Sequence, residues 1–168
     1  SAARDLQGLV RAASLAPSSH NTQPWLLRLC GWSIELLADR TRALPVNDPL
    51  DRELTISCGC ALLNLRIAAA AAGLQADVEV LADEAEGDLL ARVRLARSPA
   101  PLSDAEFASA IAERRTCRER FAATAVDAQT LRPLVEAAAS EGATLTVLER
   151  SDQRLGAAAL VAEGDAVL

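Results

Sequence analysis

Lysine, tyrosine and methionine are missing from this 168-residue sequence, and aromatic side chains make up only 2% of it. With four rings in all (Trp25, Trp32, Phe107 and Phe121), a core has to be built from Leu, Val, Ile and Ala. Histidine occurs once, at His20, and the four cysteines (Cys30, Cys58, Cys60 and Cys117) follow no zinc spacing, so no metal site is expected. Cys58 and Cys60 stand two apart on an apparent helix, where their side chains diverge and cannot bridge. All four are read as small buried thiols in a reducing cytoplasm. Every one of the 17 basic residues is Arg, and the net charge is −6 without a basic stripe, which argues against nucleic acid as a partner. No apolar run is expected to reach the length that spans a bilayer, so no membrane partner is expected either. The opening residues Ser1-Ala2-Ala3 show no signal-peptide pattern, and the expected location is cytoplasmic.

What is present is a high apolar fraction, 51%, enough for a real core. Leu6, Leu9, Val10 and Ala13 share one face of a helix over 5–16, which Pro17 stops. Two strands follow, 25–30 and 33–38, with a turn at Gly31-Trp32. The longest helical signal runs over 51–72 and ends at Gly73. It is apolar nearly all round apart from Asn64 and Arg66, as expected of a central helix buried on most faces. Its face with Leu62, Leu65, Ile67 and several alanines is the surface expected to need a covering partner. Strands are expected at 76–81 and 89–96, the second with one wet face. Ser98-Pro99-Ala100-Pro101 reads as a linker. A helix capped by Ser103 and Glu106 runs to about 113, and another, capped by Asp127, to about 140. A strand at 143–148 and a last helix capped by Asp152 complete an α+β pattern with an antiparallel-rich sheet.

An internal repeat runs through this pattern. Leu6-Gln-Gly-Leu-Val-Arg-Ala-Ala-Ser14 aligns with Leu131-Arg-Pro-Leu-Val-Glu-Ala-Ala-Ala139, and a strand is expected after each. A duplication would make 1–97 the first copy and 98–168 a linker with the start of an incomplete second copy.

Two segments carry chemistry. The first is Ala16-Pro17-Ser18-Ser19-His20-Asn21-Thr22-Gln23-Pro24-Trp25, a loop of hydroxyl and amide groups pinned by proline at both ends. Its groups suit the alternating carbonyl and imino edge of a planar heterocycle such as a flavin ring. On composition alone, a structural turn with Asx and Ser caps is the plainer reading. The second segment is Arg114-Arg115-Thr116-Cys117-Arg118, whose forked donors and hydroxyl suit a phosphate. On charge alone, a solvated basic turn is the plainer reading.

The order of residues adds to both. The first segment resembles the flavin-binding loop A-P-S-x-x-N-x-Q-P-W of the nitroreductase family, with every fixed position present. The second resembles that family's R-R-S-x-R phosphate motif, with Thr116 keeping the hydroxyl. The likeness extends through Leu36-Leu37-Ala38-Asp39-Arg40, Arg52-Glu53-Leu54 and Ile56-Ser57-Cys58-Gly59, where it is similar to the internally duplicated Acg-type branch. This resemblance implies a nitroreductase-like fold and an FMN site between two copies, with the loop from one and the arginines from the other. It makes Pro17, Ser18, Ser19, Asn21, Arg114, Arg115, Thr116 and Arg118 cofactor-binding residues. His20 becomes a candidate substrate contact, although a lone loop histidine also reads as polar surface. The implied activity is an FMN-dependent NAD(P)H oxidoreductase acting on small electron-poor acceptors such as nitroaromatics or quinones. The flavin would carry the chemistry, so no catalytic side chain is named. The alternatives are an FMN store or sensor with little turnover and a ligand-free interaction module. The implied partner is the missing second half of the same polypeptide or a homodimer partner.

Overall fold

The computed structural model describes residues 2–81, 87–98 and 103–167. It divides into two compact units, Ser1–Thr116 and Cys117–Leu168. The first unit is an α+β layer structure. Helix α1 (Ala2–Ala13) leads through a polar loop into β1 (Trp25–Cys30) and β2 (Ser33–Ala38). The long helix α2 (Arg52–Ala71) follows, then β3 (Leu74–Val80), β4 (Leu89–Arg97), a 3-10 turn at Ser103–Phe107 and α3 (Ala108–Glu113). The four strands form one antiparallel sheet in the order β1-β2-β4-β3. The expected elements are present in this unit with boundaries shifted by a few residues, except that the helix expected from a Ser103 and Glu106 cap is a 3-10 turn over Ser103–Phe107, and α3 starts only at Ala108 with no side-chain cap. The expected linker falls largely on residues 99–102, outside the described ones.

Burial follows the two periods written in the sequence. On α1, Leu6, Leu9 and Ala13 are buried at the spacing of one helical face. On β4, Leu89, Ala91, Val93 and Leu95 point inward, while Arg92 and Arg94 lie on the other face. The inner face of the sheet packs on Leu54, Cys58, Ala61, Leu65 and Ala69 of α2. Helix α2 meets the test of length and apolar composition for a membrane span, which corrects the expectation that no run is long enough. Its alanines, cysteines and lone glycine count as apolar without looking like a span. In the fold it is a core helix, with 44% of its most apolar stretch buried within the protein. The two polar exceptions are partnered. Asn64 donates to the Ala12 carbonyl at 3.1 Å, and Arg66 pairs with Asp104 at 3.3 Å. Leu65 and Ile67, expected on an open face, are buried inside this unit. The open apolar surface lies instead at the C-terminal end of α2. There a groove of about 560 Å³ runs between Ala68, Ala71 and Ala72, the α1 residues Gly8 and Ala12 with Leu15, and Ile111 of α3.

The outer face of the sheet carries a ladder of alternating charge across all four strands. Arg28, Glu35, Arg92 and Glu79 stand in direct cross-strand register. Arg28 bonds Glu35 at 2.7 Å, Arg92 bonds its other oxygen at 3.2 Å, and Arg94 bonds Glu79 at 3.0 Å. Hydrogen bonding from Arg28 outweighs partial burial and, with Arg92, holds the Glu35 carboxyl below its ordinary pKa. Such pairs add modestly to stability but fix register, because a one-residue slip would set Glu35 and Glu79 against Ala91 or Val93 and turn the charged face inward.

The second unit contains α4 (Ala128–Ser140) and α5 (Ser151–Val167). Asp127 caps α4 as expected, accepting from the Thr130 amide at 2.7 Å. The expected strand at 143–148 does not form: the segment is irregular, because among the described residues of this unit no strand lies beside it to complete a ladder. Asp152 is not the cap of α5 but lies in its first turn, bonded to Arg150 at 2.7 and 3.0 Å. Gln153 instead accepts from the Arg150 amide at 3.3 Å. No described residue of this unit is fully buried.

Helix α2 begins under the control of Asp48, a buried carboxylate that accepts from the Arg52 amide at 2.8 Å and the Leu54 amide at 2.9 Å. Burial alone would raise its pKa. The backbone N–H groups of Leu54, Glu53 and Arg52 outweigh that and hold it below the usual aspartate value. A depressed native pKa gives stability that is present above the unfolded value of about 4 and lost as pH falls through the native one. Acid titration of unfolding should therefore show a steeper stability loss below about pH 4 in the wild type than in Asp48→Asn. Parallel slopes would remove Asp48 from the cap.

Candidate functional site

The polar loop between α1 and β1 is held in an uncommon shape. His20, Asn21 and Gln23 have φ values of 50°, 57° and 50°, the left-handed region that non-glycine residues avoid. Asn and His tolerate it better than Gln, but each such residue costs roughly 1–3 kcal/mol and persists only where surrounding structure over-determines it. Here the surroundings are explicit. The Gln23 amide donates to Ser18 Oγ at 2.9 Å, closing the loop on itself. The Thr22 hydroxyl donates to the Ser19 carbonyl at 3.0 Å, and Arg42 donates to the Thr22 carbonyl at 3.1 Å. The Ser19 hydroxyl donates to Glu53 at 2.5 Å, and the Ser19 amide to Ser57 Oγ at 3.3 Å. Pro24 and Trp25 are buried, and the Cys58 thiol donates to the Pro24 carbonyl at 3.3 Å.

The candidate residues of this loop thus divide. Pro17, Ser18 and Ser19 are half-buried, with Ser18 and Ser19 engaged in holding the loop. His20 and Asn21 are exposed, and among the described residues their side chains have no hydrogen-bond partner. An exposed, unpartnered amide on strained backbone is what a polar ligand edge can meet without displacing internal bonds.

The phosphate candidates divide too. Arg114 donates to the Leu15 carbonyl at 3.3 Å, which brings it beside the end of α1 where the loop starts, and to Thr116 Oγ1 at 3.2 Å. Arg115 turns one terminal nitrogen to the Ala112 and Arg114 carbonyls, at 2.6 and 2.8 Å. All three belong to the first unit, and Arg118 belongs to the second. The loop therefore leaves an exposed polar edge at His20 and Asn21, while Arg114 and Arg115 lie in the first unit and Arg118 in the second.

Sequence reading missed three supporting residues, Glu53, Ser57 and Asp48. Glu53 and Ser57 lie four apart on one face of α2, the spacing that places both beside the loop. Arg40 is a further one, pairing with Asp51 at the start of α2 and with Asp88 at 2.6 Å.

Similarity to known proteins can be set beside this geometry. No protein-family model matches the chain. It is 33% identical over 151 residues to a Mycobacterium tuberculosis protein provisionally named an NAD(P)H nitroreductase, Rv3131. That alignment takes in 90% of this chain and 44% of the relative. Over 133 residues it is 31% identical to PigM of a Serratia species, also provisionally named an NAD(P)H nitroreductase, covering 74% of this chain and 36% of that one. Both relatives carry a provisional name as NAD(P)H nitroreductases. The chain spans less than half the length of these relatives. Among solved structures, one from Clostridium acetobutylicum, provisionally named an NADH oxidase, superposes with a TM-score of 0.49 at 18% identity. It covers 60% of this chain and 79% of the other.

The cysteines correct the expectation of four buried thiols, since Cys30 and Cys117 are exposed. Burial pushes the Cys58 thiol up to about 11, with Cys60 adding to the shift. Burial also raises Cys60, against the nearby Arg114. A thiol-reactive probe at neutral pH should label Cys30 and Cys117 rapidly and Cys58 only on unfolding. Rapid native labelling of Cys58 would show that the contact beneath Pro24 is not kept.

Proposed function

We propose that this chain carries the ring-binding loop, and part of the phosphate-binding set, of an FMN-dependent NAD(P)H oxidoreductase of nitroreductase type. The observation that carries the reading is the loop over residues 17–25. It combines the family's residue order with three left-handed residues and an exposed, unpartnered Asn21 amide. Asn21 would hold the polar edge of the flavin ring. Ser18, already accepting from Gln23, keeps a hydroxyl proton to donate. Pro17 and Ser19 would shape the loop, and His20 would face the electron-poor acceptor, a nitroaromatic or a quinone. Arg114, Arg115, Thr116 and Arg118 would meet the phosphate once gathered. FMN, when bound, supplies the hydride chemistry, with NAD(P)H as donor.

The gathering would come from the second half of a duplicated architecture, of the Acg type, or from a homodimer partner. The repeat of α1 in α4 supports duplication. The absence of any fully buried described residue in Cys117–Leu168, with Leu134, Leu155 and Leu160 all exposed, supports an absent partner surface. A cytoplasmic location belongs to the same proposal.

Asn21→Ala should weaken FMN binding by roughly fivefold to tenfold without loss of fold, the value of about one hydrogen bond. In the site assembled with a second copy or half, Arg115→Ala and Arg118→Ala should weaken FMN more than riboflavin, since only FMN has the phosphate. Equal affinity in Asn21→Ala, or equal losses for both ligands in the arginine variants, would refute the corresponding role. Light scattering should find the 17.6 kDa chain self-associated rather than monomeric. A monomer with stoichiometric FMN would overturn the need for a partner.

A further inference from the structure

We infer that Glu53 is a positioning residue for the flavin loop, acting through Ser19, and that Ser19 is an anchor of that loop rather than a ligand contact. The FMN arm of this inference rests on the function proposed above; the anchoring itself does not. The Ser19 hydroxyl is committed to the Glu53 carboxylate at 2.5 Å. Its amide is committed to Ser57 Oγ at 3.3 Å, and its carbonyl accepts from both the Thr22 amide and the Thr22 hydroxyl at 3.0 Å. Every polar group of Ser19 is therefore spent inside the protein. Ser57 is itself tied down, donating to the Glu53 carbonyl at 2.7 Å. Glu53 and Ser57 lie on α2, a helix fixed by the core, so Ser19 is joined to a rigid element at two points.

The residues that follow are the strained ones. His20 and Asn21 come directly after the anchored residue, with φ values of 50° and 57°. Cutting the Ser19–Glu53 bond would release the near end of the strained stretch, and the backbone would relax toward ordinary φ. The Asn21 amide would then no longer be held where a ring edge meets it. The loss would be one of preorganisation and not of a direct contact.

The test uses the 168-residue chain and four variants: Glu53→Ala, Glu53→Gln, Ser19→Ala and the Ser19→Ala/Glu53→Ala double. Amide exchange of residues 18–23, without ligand, reads the anchor. Titration with FMN and the visible absorption band of the bound flavin read its consequence. Glu53→Ala and Ser19→Ala should speed exchange in 18–23 while leaving β4 protected, lower FMN affinity by roughly fivefold to tenfold and shift the bound band. The double variant should be no worse than either single, as expected of two residues acting through one bond. Glu53→Gln, which keeps an acceptor oxygen, should restore most of the loop protection. Unchanged exchange in both alanine variants, or losses that add in the double, would overturn the inference. Should Glu53→Ala not fold, Ser19→Ala and Glu53→Gln decide it in the same way. If the wild type does not take up FMN, the proposed function falls, while the exchange measurements still decide the anchor.

Discussion

The close approach of α2 to the inner face of the sheet is the interaction on which the rest of the first unit depends. Cys58, Ala61, Leu65 and Ala69 of the helix are all fully buried, and so are Ile34 and Val93 of the sheet. Three of those four helix residues are small, so the helix backbone comes near the strands and leaves room for one large side chain, Leu65, in the middle. Leu65→Ala would open a cavity at that centre, where such truncations cost roughly 2–5 kcal/mol. The same helix face continues to its N-terminal end. Glu53, Ser57 and Cys58 there meet Ser19 and Pro24, so the packing that makes the core also sets the loop.

Most of the first unit was legible because its elements are local and periodic. The alternation on β4 and the three-and-four spacing on α1 each name a buried face, and the register follows once one face is buried. The second unit was less legible for a physical reason. Ala143-Thr144-Leu145-Thr146-Val147-Leu148 has strand propensity, but propensity makes no ladder without a neighbour, and the segment is irregular here. Within the second unit, caps were legible only in part. Asp127 caps α4 through a bond three residues away, whereas Asp152 was drawn to Arg150 instead.

At the candidate site, the sequence order named the loop but not what holds it. The residues that hold it are distant: Arg42 is 20 positions from Thr22, Glu53 is 34 from Ser19, and Ser57 is 38 from Ser19. A carboxylate next to the start of a helix reads locally as a favourable first-turn charge, which Glu53 also is. Only the fold shows that its oxygen is taken by a hydroxyl from another element. The motif therefore names the loop, and the tertiary structure separates its exposed residues, His20 and Asn21, from Ser18 and Ser19, which are engaged in holding it.

The two ends of the proposed cofactor site differ in how far they are prepared. The loop end is built entirely within Ser1–Thr116, on a rigid helix, with its strain already paid for by internal bonds. The phosphate end is divided between the units, and Arg115 spends part of its fork on its own backbone. Preorganised groups bind without a further ordering cost, whereas each long side chain gathered on binding loses roughly 0.5–1.5 kcal/mol of freedom. A ligand recognised by the loop alone would thus lack most of the charge-assisted bonds that a phosphate supplies. The distinction between FMN and riboflavin should then be weak in this chain by itself. It should sharpen only when a second copy or half brings Arg114, Arg115 and Arg118 to one place.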